Sequence, residues 1–215
     1  MSFKAFLKVS PLRWVLCRLA LWRVQEKLAE IGSYLNSADR VLDVGAGNCI
    51  LCQELRRRGH EVVPVDLKNL SFVDEIVPVT YDGTTLPFGN DSFDMALLIT
   101  VLHHTPDPDA VLTEVRRVAR RIIVIEEIYE NLFEKYFTYV IDSLFNLEFF
   151  SHPRSNRTDA EWREAFQRLR LDVSAAVYSR SLGFLRRVTY VLVRAYGRSE
   201  PAVVRSPLRI PDANH

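Results

Sequence analysis

The feature that most constrains this chain is Val41-Leu42-Asp43-Val44-Gly45-Ala46-Gly47-Asn48, an apolar run that passes straight into a glycine turn. Arg40–Val44 reads as a strand and Cys49–Arg58 as a helix ending at Gly59, so the turn joins a buried strand to a helix N-terminus. Glycines there permit positive φ and close approach of a ligand to the backbone. The free N–H groups of the following helix suit a carboxylate or phosphate. A dinucleotide fingerprint would carry a third glycine at position 50, where Ile50 stands, which argues against NAD or FAD.

Short apolar runs and amphipathic stretches then alternate. Glu61–Asp66 reads as a second strand, with Pro64 removing one ladder donor, and Ile76–Val79 as a short third. Phe93–Thr100 is almost continuously apolar, as in a strand covered on both faces. Asp107-Pro108 marks an N-cap and first helical position, opening a helix to about Arg120, and Arg121–Ile125 is a fifth strand. This alternation predicts a doubly wound, mostly parallel α/β sheet.

Outside that core, Pro11–Leu35 has helical periodicity through Leu12, Val15, Leu16, Leu19, Trp22, Leu28, Ile31 and Leu35. Leu132–Leu147 is aromatic-rich and reads as helical. Thr158-Asp159-Ala160-Glu161 forms a capping box ahead of the helix Trp162–Leu169. Leu171–Tyr178 and Val188–Arg194 read as two last strands joined through Gly183. The organisation expected is an N-terminal cap helix over 1–37, a central domain over 38–197 with an aromatic-rich lid at about 129–157, and a disordered tail over 198–215.

Composition bounds the function. With 28 basic and 27 acidic residues the net charge is +1, so nothing favours a nucleic-acid partner. Cys17, Cys49 and Cys52 make no disulfide framework, consistent with a reduced, cytoplasmic setting. Trp14–Val24 is interrupted by Arg18 and Arg23 and lacks the form of a signal peptide or a membrane span. Trp14 and Trp22 among Arg13, Arg18 and Arg23 would also suit a lipid surface, leaving peripheral membrane contact through residues 11–35 as an alternative to a cap.

Asp66, about twenty residues past the glycine turn, stands where a carboxylate accepts ribose hydroxyls. Asp82, in Tyr81-Asp82-Gly83, is equally readable as an adenine-amine acceptor or a plain turn residue. In this order VLDVGAGN, VVPVDL and YDGTTLPFGNDSFDMALLITVLHHTPDP resemble the motifs of class I S-adenosylmethionine-dependent methyltransferases, in the small-molecule branch called methyltransferase type 11. The resemblance covers Asp39 to Arg120 well and FFSHPRSNRTDAEWREAF more loosely.

The resemblance implies a Rossmann-like fold with a seven-stranded sheet and an antiparallel C-terminal hairpin. It implies S-adenosyl-L-methionine as cofactor and a small-molecule methyl acceptor. Asp43, Gly45 and Gly47, with Ala46 between them, would line the methionine end. Asp66, followed by Leu67, would hold the ribose, and Asp82 with Gly83 the adenine. Thr100 and Val101 would border the sulfonium and the acceptor. The family's usual Pro-Gly turn before strand five is missing, since Arg116–Arg121 runs directly into the strand.

For an oxygen or nitrogen acceptor, a base must take a proton, and His103 and His104 are the candidates. Read as an extended segment, the pair points two ways, and His104 is preferred. Glu126, Glu127 and His152 are candidates for a base or metal constellation, although a carboxylate pair after a strand is more often solvated or arginine-paired, and no metal is expected. Cys49 and Cys52 read as small buried residues rather than a redox pair. The reading is a methyltransferase of EC 2.1.1 type acting at O, N or C of an apolar or aromatic acceptor. A cofactor-binding module without turnover and a membrane-surface methyltransferase are the alternatives.

Overall fold

In the computed structural model, residues 11–129, 155–181 and 185–195 are described, with the side chains of 11–17, 19, 20, 181 and 185 left aside. The elements are α1 (Pro11–Ile31), β1 (Arg40–Val44), α2 (Ile50–Arg57), β2 (Glu61–Asp66), β3 (Val79–Thr80), β4 (Phe93–Ile99), α3 (Pro108–Val118), β5 (Ala119–Glu127), α4 (Asp159–Arg168), β6 (Leu171–Ser181) and β7 (Leu185–Arg194). The strands form one seven-stranded sheet in the order β3-β2-β1-β4-β5-β7-β6. β7 runs antiparallel to both β5 and β6, and the other pairings are parallel. This is the Rossmann-like sheet with its C-terminal hairpin. The strand order reverses between β1 and β4, and that switch point is where open α/β sheets receive ligands, at the carboxyl ends.

Alternation along the strands divides the core. Val41, Met95, Leu97, Ile99, Ile123 and Ile125 face α1 and α2, while Leu42, Val44, Ala96, Leu98, Ile122 and Val124 face α3 and α4. Both faces are covered, which explains the apolar continuity of β4. α1 contributes Val24, Leu28 and Ile31, and a 3-10 turn, Gly32–Tyr34, carries the chain on towards β1. Trp22 was expected on the packed stripe but is 54% exposed, because the stripe follows Val24, Leu28 and Ile31 instead.

Polar contacts fix α1 further. Arg187 of β7, itself buried, pairs with Glu26 at 3.0 Å and Glu30 at 2.6 Å, and Thr189 donates to Glu30. Gln25 bridges to Glu54 on α2 and accepts from Arg58.

Three elements differ from expectation. The third strand is Val79–Thr80 rather than Ile76–Val79, because Pro78 offers no N–H and pairing starts only after it, against Val65 and Asp66. Ile76 is buried ahead of the strand. Pro64 has only β1 beside it, since β3 reaches no further than Val65, a place where a sheet tolerates proline. α3 stops at Val118 and β5 begins at Ala119 with no intervening turn. The orphan carbonyls at that junction are capped from β7: the Arg194 guanidinium donates to Arg116, Arg117 and Ala119 carbonyls at 2.9–3.2 Å. This side chain substitutes for the missing turn.

The expected caps are present. Asp107 accepts from Ala110 N–H with Pro108 behind it, and Thr158 and Glu161 form the capping box of α4. The segment Leu132–Leu147, residues 130–154 of the expected lid, His152, Gly183 and the tail 198–215 lie outside the described residues. No described helix is long and apolar enough to cross a membrane.

The β1 turn is closely packed against the loop after β4. Gly45 has φ +72°, and a Cβ there would lie 2.6 Å from Val101 Cγ2. Gly45→Ala is therefore expected to cost about 2 kcal/mol or more in urea unfolding, through both backbone strain and overlap. Val101→Ala in the same chain should restore only the overlap part. A Gly45→Ala protein as stable as wild type would show that the loop after β4 does not press on the turn.

Candidate functional site

The site grows out of the carboxyl ends of β1, β2 and β4. Gly45 N–H and Ala46 N–H both donate to Val65 O, at 2.8 and 3.1 Å, and Gly47 N–H donates to Asp66 Oδ2 at 2.8 Å. Gly47 has φ +52°, and a Cβ there would meet Gly45 O at an ordinary contact distance of 3.9 Å, so conformation rather than crowding demands glycine there. Cys49 follows with φ 59°, and Asn48 Oδ1 accepts from Ile50 N–H as α2 begins.

Asp43 is buried beneath the turn and accepts from Cys52 Sγ at 3.1 Å. Burial pushes its carboxyl up to about 6, against the opposing pull of the Cys52 hydrogen bond and of Lys27. The Cys52 thiol is pushed up by burial and by the Asp43 charge, and that of Cys49 by burial. Both thiols are buried and raised, the reverse of a reactive pair.

Asp66 ends β2 and uses its two oxygens on Gly47 N–H and, at 3.3 Å, Lys68 N–H. An ionised carboxylate has about four acceptor positions, so two remain. Leu67 is 56% exposed, and a Cβ on Gly83 would meet its Cδ2 at 3.1 Å, so the loops after β2 and β3 touch. Asp82 is exposed, and N–H groups of Thr85 and Thr84 bond its Oδ1 and hold its carboxyl down at about 2. The turn role is thus realised at Asp82, and its second oxygen is clear of those two bonds.

Thr100 closes β4 with φ 56°, its N–H on Ile125 O and its hydroxyl on Ile99 O. Lys27 Nζ, from α1, reaches Thr100 Oγ1 at 3.3 Å. Beyond it, Leu102–His104 is a 3-10 turn and not the extended segment expected. The two imidazoles consequently do not point opposite ways, and their centroids are 4.0 Å apart.

The turn is held by Glu126, completely buried in β5. Its Oε1 accepts from Val101 N–H at 3.0 Å and Leu102 N–H at 2.8 Å, and its Oε2 bonds His103 Nδ1 at 2.5 Å. Glu126 and Glu127 are thus strand residues, both buried and so not solvated, and Glu126 is paired with backbone N–H groups and His103 rather than with arginine. Their apolar surroundings in β5 gave no sign of these polar partners. Ser155 adds a second clasp, its hydroxyl on the Leu102 and Thr105 carbonyls and its N–H on His103 O. His103 is buried and His104 half-buried.

The structure therefore gathers Asp43, the glycine turn, Asp66, Leu67, Asp82, Gly83, Thr100, Val101 and both histidines along the carboxyl-end edge of the sheet. Lys27 and Ser155 belong to the same surroundings and were missed, since nothing local marks a helix lysine or a loop serine that acts across the fold. Among the described residues no three His, Cys, Asp or Glu side chains cluster to hold a metal ion.

Glu126 offers a direct test. Glu126→Leu strands two N–H groups and His103, and should cost about 3 kcal/mol in denaturant unfolding. Glu126→Gln keeps the backbone contacts but presents an N–H₂ to His103, so imidazole ¹⁵N resonances should report the reversed tautomer. Wild-type stability in both variants would remove the clasp.

Residues 42–122 match the family described as methyltransferase domain. Among curated relatives, the ubiquinone biosynthesis O-methyltransferase of Hahella chejuensis is 33% identical over 130 residues, 55% of this chain and 49% of the relative. A demethylmenaquinone methyltransferase of a Mycobacterium species is 33% identical over 112 residues, 49% of this chain and 47% of the relative. The chain thus spans about half the length of the curated relatives it matches. Among solved structures, the 1,6-didemethyltoxoflavin N1-methyltransferase of Burkholderia thailandensis, with S-adenosylhomocysteine bound, superposes with TM-score 0.61 at 17% identity. That match covers 82% of this chain and 81% of the other. Motif order and sheet topology agree with that match: residues 42–122 are similar to a methyltransferase domain, and the sheet has the Rossmann-like order of the solved methyltransferase structures.

Proposed function

We propose that this protein transfers the methyl group of S-adenosyl-L-methionine to O, N or C of a small apolar or aromatic acceptor. The observation that carries the reading is the edge at the β1/β4 switch point, where the glycine turn is tied to Asp66 and faces the loop after β4. Asp43, Gly45, Ala46 and Gly47 would line the methionine end. Asp66 would take the ribose hydroxyls on its remaining acceptor positions, and Asp82 with Gly83 the adenine amine, with Leu67 offering apolar surface beside them. The acceptor class is suggested by quinone-pathway relatives and by the toxoflavin-precursor enzyme of like fold.

The bound cofactor supplies a sulfonium methyl already activated for in-line displacement. What the chain must add is positioning, exclusion of water and, for a hydroxyl or amine acceptor, a place for the proton. His103 has Nδ1 committed to Glu126 and is buried, which favours a positioning part for it. His104, half-buried on the outer side of the pair, is the better base. The packed Val24, Leu28 and Ile31 stripe, with Lys27 on Thr100, supports the reading of α1 as a cap rather than a membrane anchor.

Two measurements test this. Calorimetry with S-adenosylhomocysteine should show Asp66→Ala losing on the order of 1–3 kcal/mol, since the ribose hydroxyls lose a charged acceptor. Undiminished affinity would remove Asp66 from the site. With labelled S-adenosylmethionine and demethylated quinols or other small phenols, His104→Ala should lower turnover roughly 10²–10⁴-fold while cofactor affinity holds. A His104→Ala enzyme of full speed would mean that positioning alone suffices. Cofactor binding without turnover on any acceptor would favour a module that has lost its chemistry.

A further inference from the structure

Of the two tryptophans whose side chains are described, Trp162 is buried in the core and Trp22 stands out in solvent. Trp22 belongs to the outer stripe of α1, where Arg18, Trp22, Gln25 and Ala29 recur at helical spacing and are all exposed. The apolar stripe on the opposite side, Val24, Leu28 and Ile31, is occupied by the sheet. A lone exposed aromatic is ordinary. This one adjoins a concentration of positive charge.

Gln25 ties the outer stripe to the end of α2. Its Oε1 accepts from Arg58 Nη2 at 2.7 Å, and its Nε2 donates to Glu54 at 3.1 Å. Arg56, Arg57 and Arg58 are all exposed there. Glu54 is the acid of this group, and Arg57 also holds it, at 2.6 Å. Glu26, the next acid along α1, is held by Arg187 of β7. Part of the arginine run serves the fold, since Arg56 donates to Val62 O and the last turn of a helix favours cations. Neither role needs an indole alongside. With Arg18 the face carries four arginines around Trp22, on a chain whose total charge is only +1.

We propose that the outer face of α1, together with the arginine end of α2, docks on a bilayer surface of anionic phospholipid. The Trp22 indole would lie at headgroup depth and the guanidinium groups on lipid phosphates. An indole flanked by arginines suits a boundary that is apolar on one side and wet on the other. A nucleic acid would call for a basic excess, and the overall charge is balanced. The contact is peripheral, because no described helix can cross a membrane and the apolar stripe of α1 stays on the sheet. Covering the sheet and meeting the lipid thus use opposite faces of one helix, and the docking does not depend on the cofactor reading.

The test is flotation of the full chain with vesicles of phosphatidylcholine alone or of phosphatidylcholine and phosphatidylglycerol in equal parts. The wild type should float with the anionic vesicles only, and less so as salt is raised. Arg57→Glu combined with Arg58→Glu should lower the partition constant about 10- to 100-fold, and Trp22→Ser roughly 5- to 10-fold. Arg180→Glu is the control for charge. Arg180 is exposed and follows Ser179, whose hydroxyl meets Arg187 on the α1 side, so alternation puts it on the opposite face of the sheet. That variant should float like the wild type. Circular dichroism and thermal unfolding unchanged from wild type separate a lost contact from a lost fold.

Equal flotation with both vesicles, flotation with neither, or losses no larger in the α1 and α2 variants than in Arg180→Glu would each overturn the proposal. Self-association that Trp22→Ser abolishes, without flotation of the wild type, would give the face to a second copy of the chain instead.

Discussion

Three strand ends are locked together at one turn, and the arrangement of the site depends on that lock. The peptide after β1 bends back so that Gly45 and Ala46 share the Val65 carbonyl, while Gly47 reaches the Asp66 carboxylate. On its other side Gly45 lies against Val101, the first residue of the loop after β4. A side chain at Gly45 would push the β4 loop outwards, and a different conformation at Gly47 would release Asp66. The distances among the three parts of the candidate site follow from these contacts, because each part hangs from one of the three strands.

A sheet buried on both faces has little room for polar groups except at strand ends, and three of the exceptions show how such groups are satisfied. Glu126 satisfies two backbone donors and an imidazole, Asp43 takes a thiol, and Arg187 takes two carboxylates. A buried carboxylate with three donors is well compensated, whereas removing one partner leaves a costly remainder. Glu126 therefore acts as a strut. It converts the rigidity of β5 into a fixed 3-10 turn and sets which nitrogen of His103 is engaged. Ser155 clasps the same turn from the chain segment ahead of α4.

Much of this was legible in the residues because local rules and the global fold agree. The glycine turn, the doubly covered β4, the Asp107-Pro108 start and the Thr158 box each follow from period, cap or φ. Legibility failed where an element is set by distant partners. Pro78 trims β3 because Val65 and Asp66 are its only partners. The histidines curl into a turn because Glu126 pulls two N–H groups towards β5. Arg194 replaces an absent turn from 75 to 78 residues away. Trp22 lies off the buried stripe because Val24, Leu28 and Ile31 line the opposite side of α1. None of these partners has a sequence spacing that announces it.

The grip on α1 shows why a charged anchor is used where apolar packing would hold the helix as well. Val24, Leu28 and Ile31 alone specify a face, but an apolar stripe tolerates sliding along its axis. Glu26 and Glu30 stand one turn apart, and Arg187 engages both; a slide of one turn would surrender one carboxylate and strand charge against β7. Buried ion pairs add little net stability, and their best-attested use is to fix register. Here register has a chemical consequence. Lys27 follows Glu26 on the same turn, so the contacts that seat the two glutamates on Arg187 also bring the Lys27 ammonium to Thr100. The position of one cation at the switch point is thus decided by an ion pair on the adjoining face of the helix.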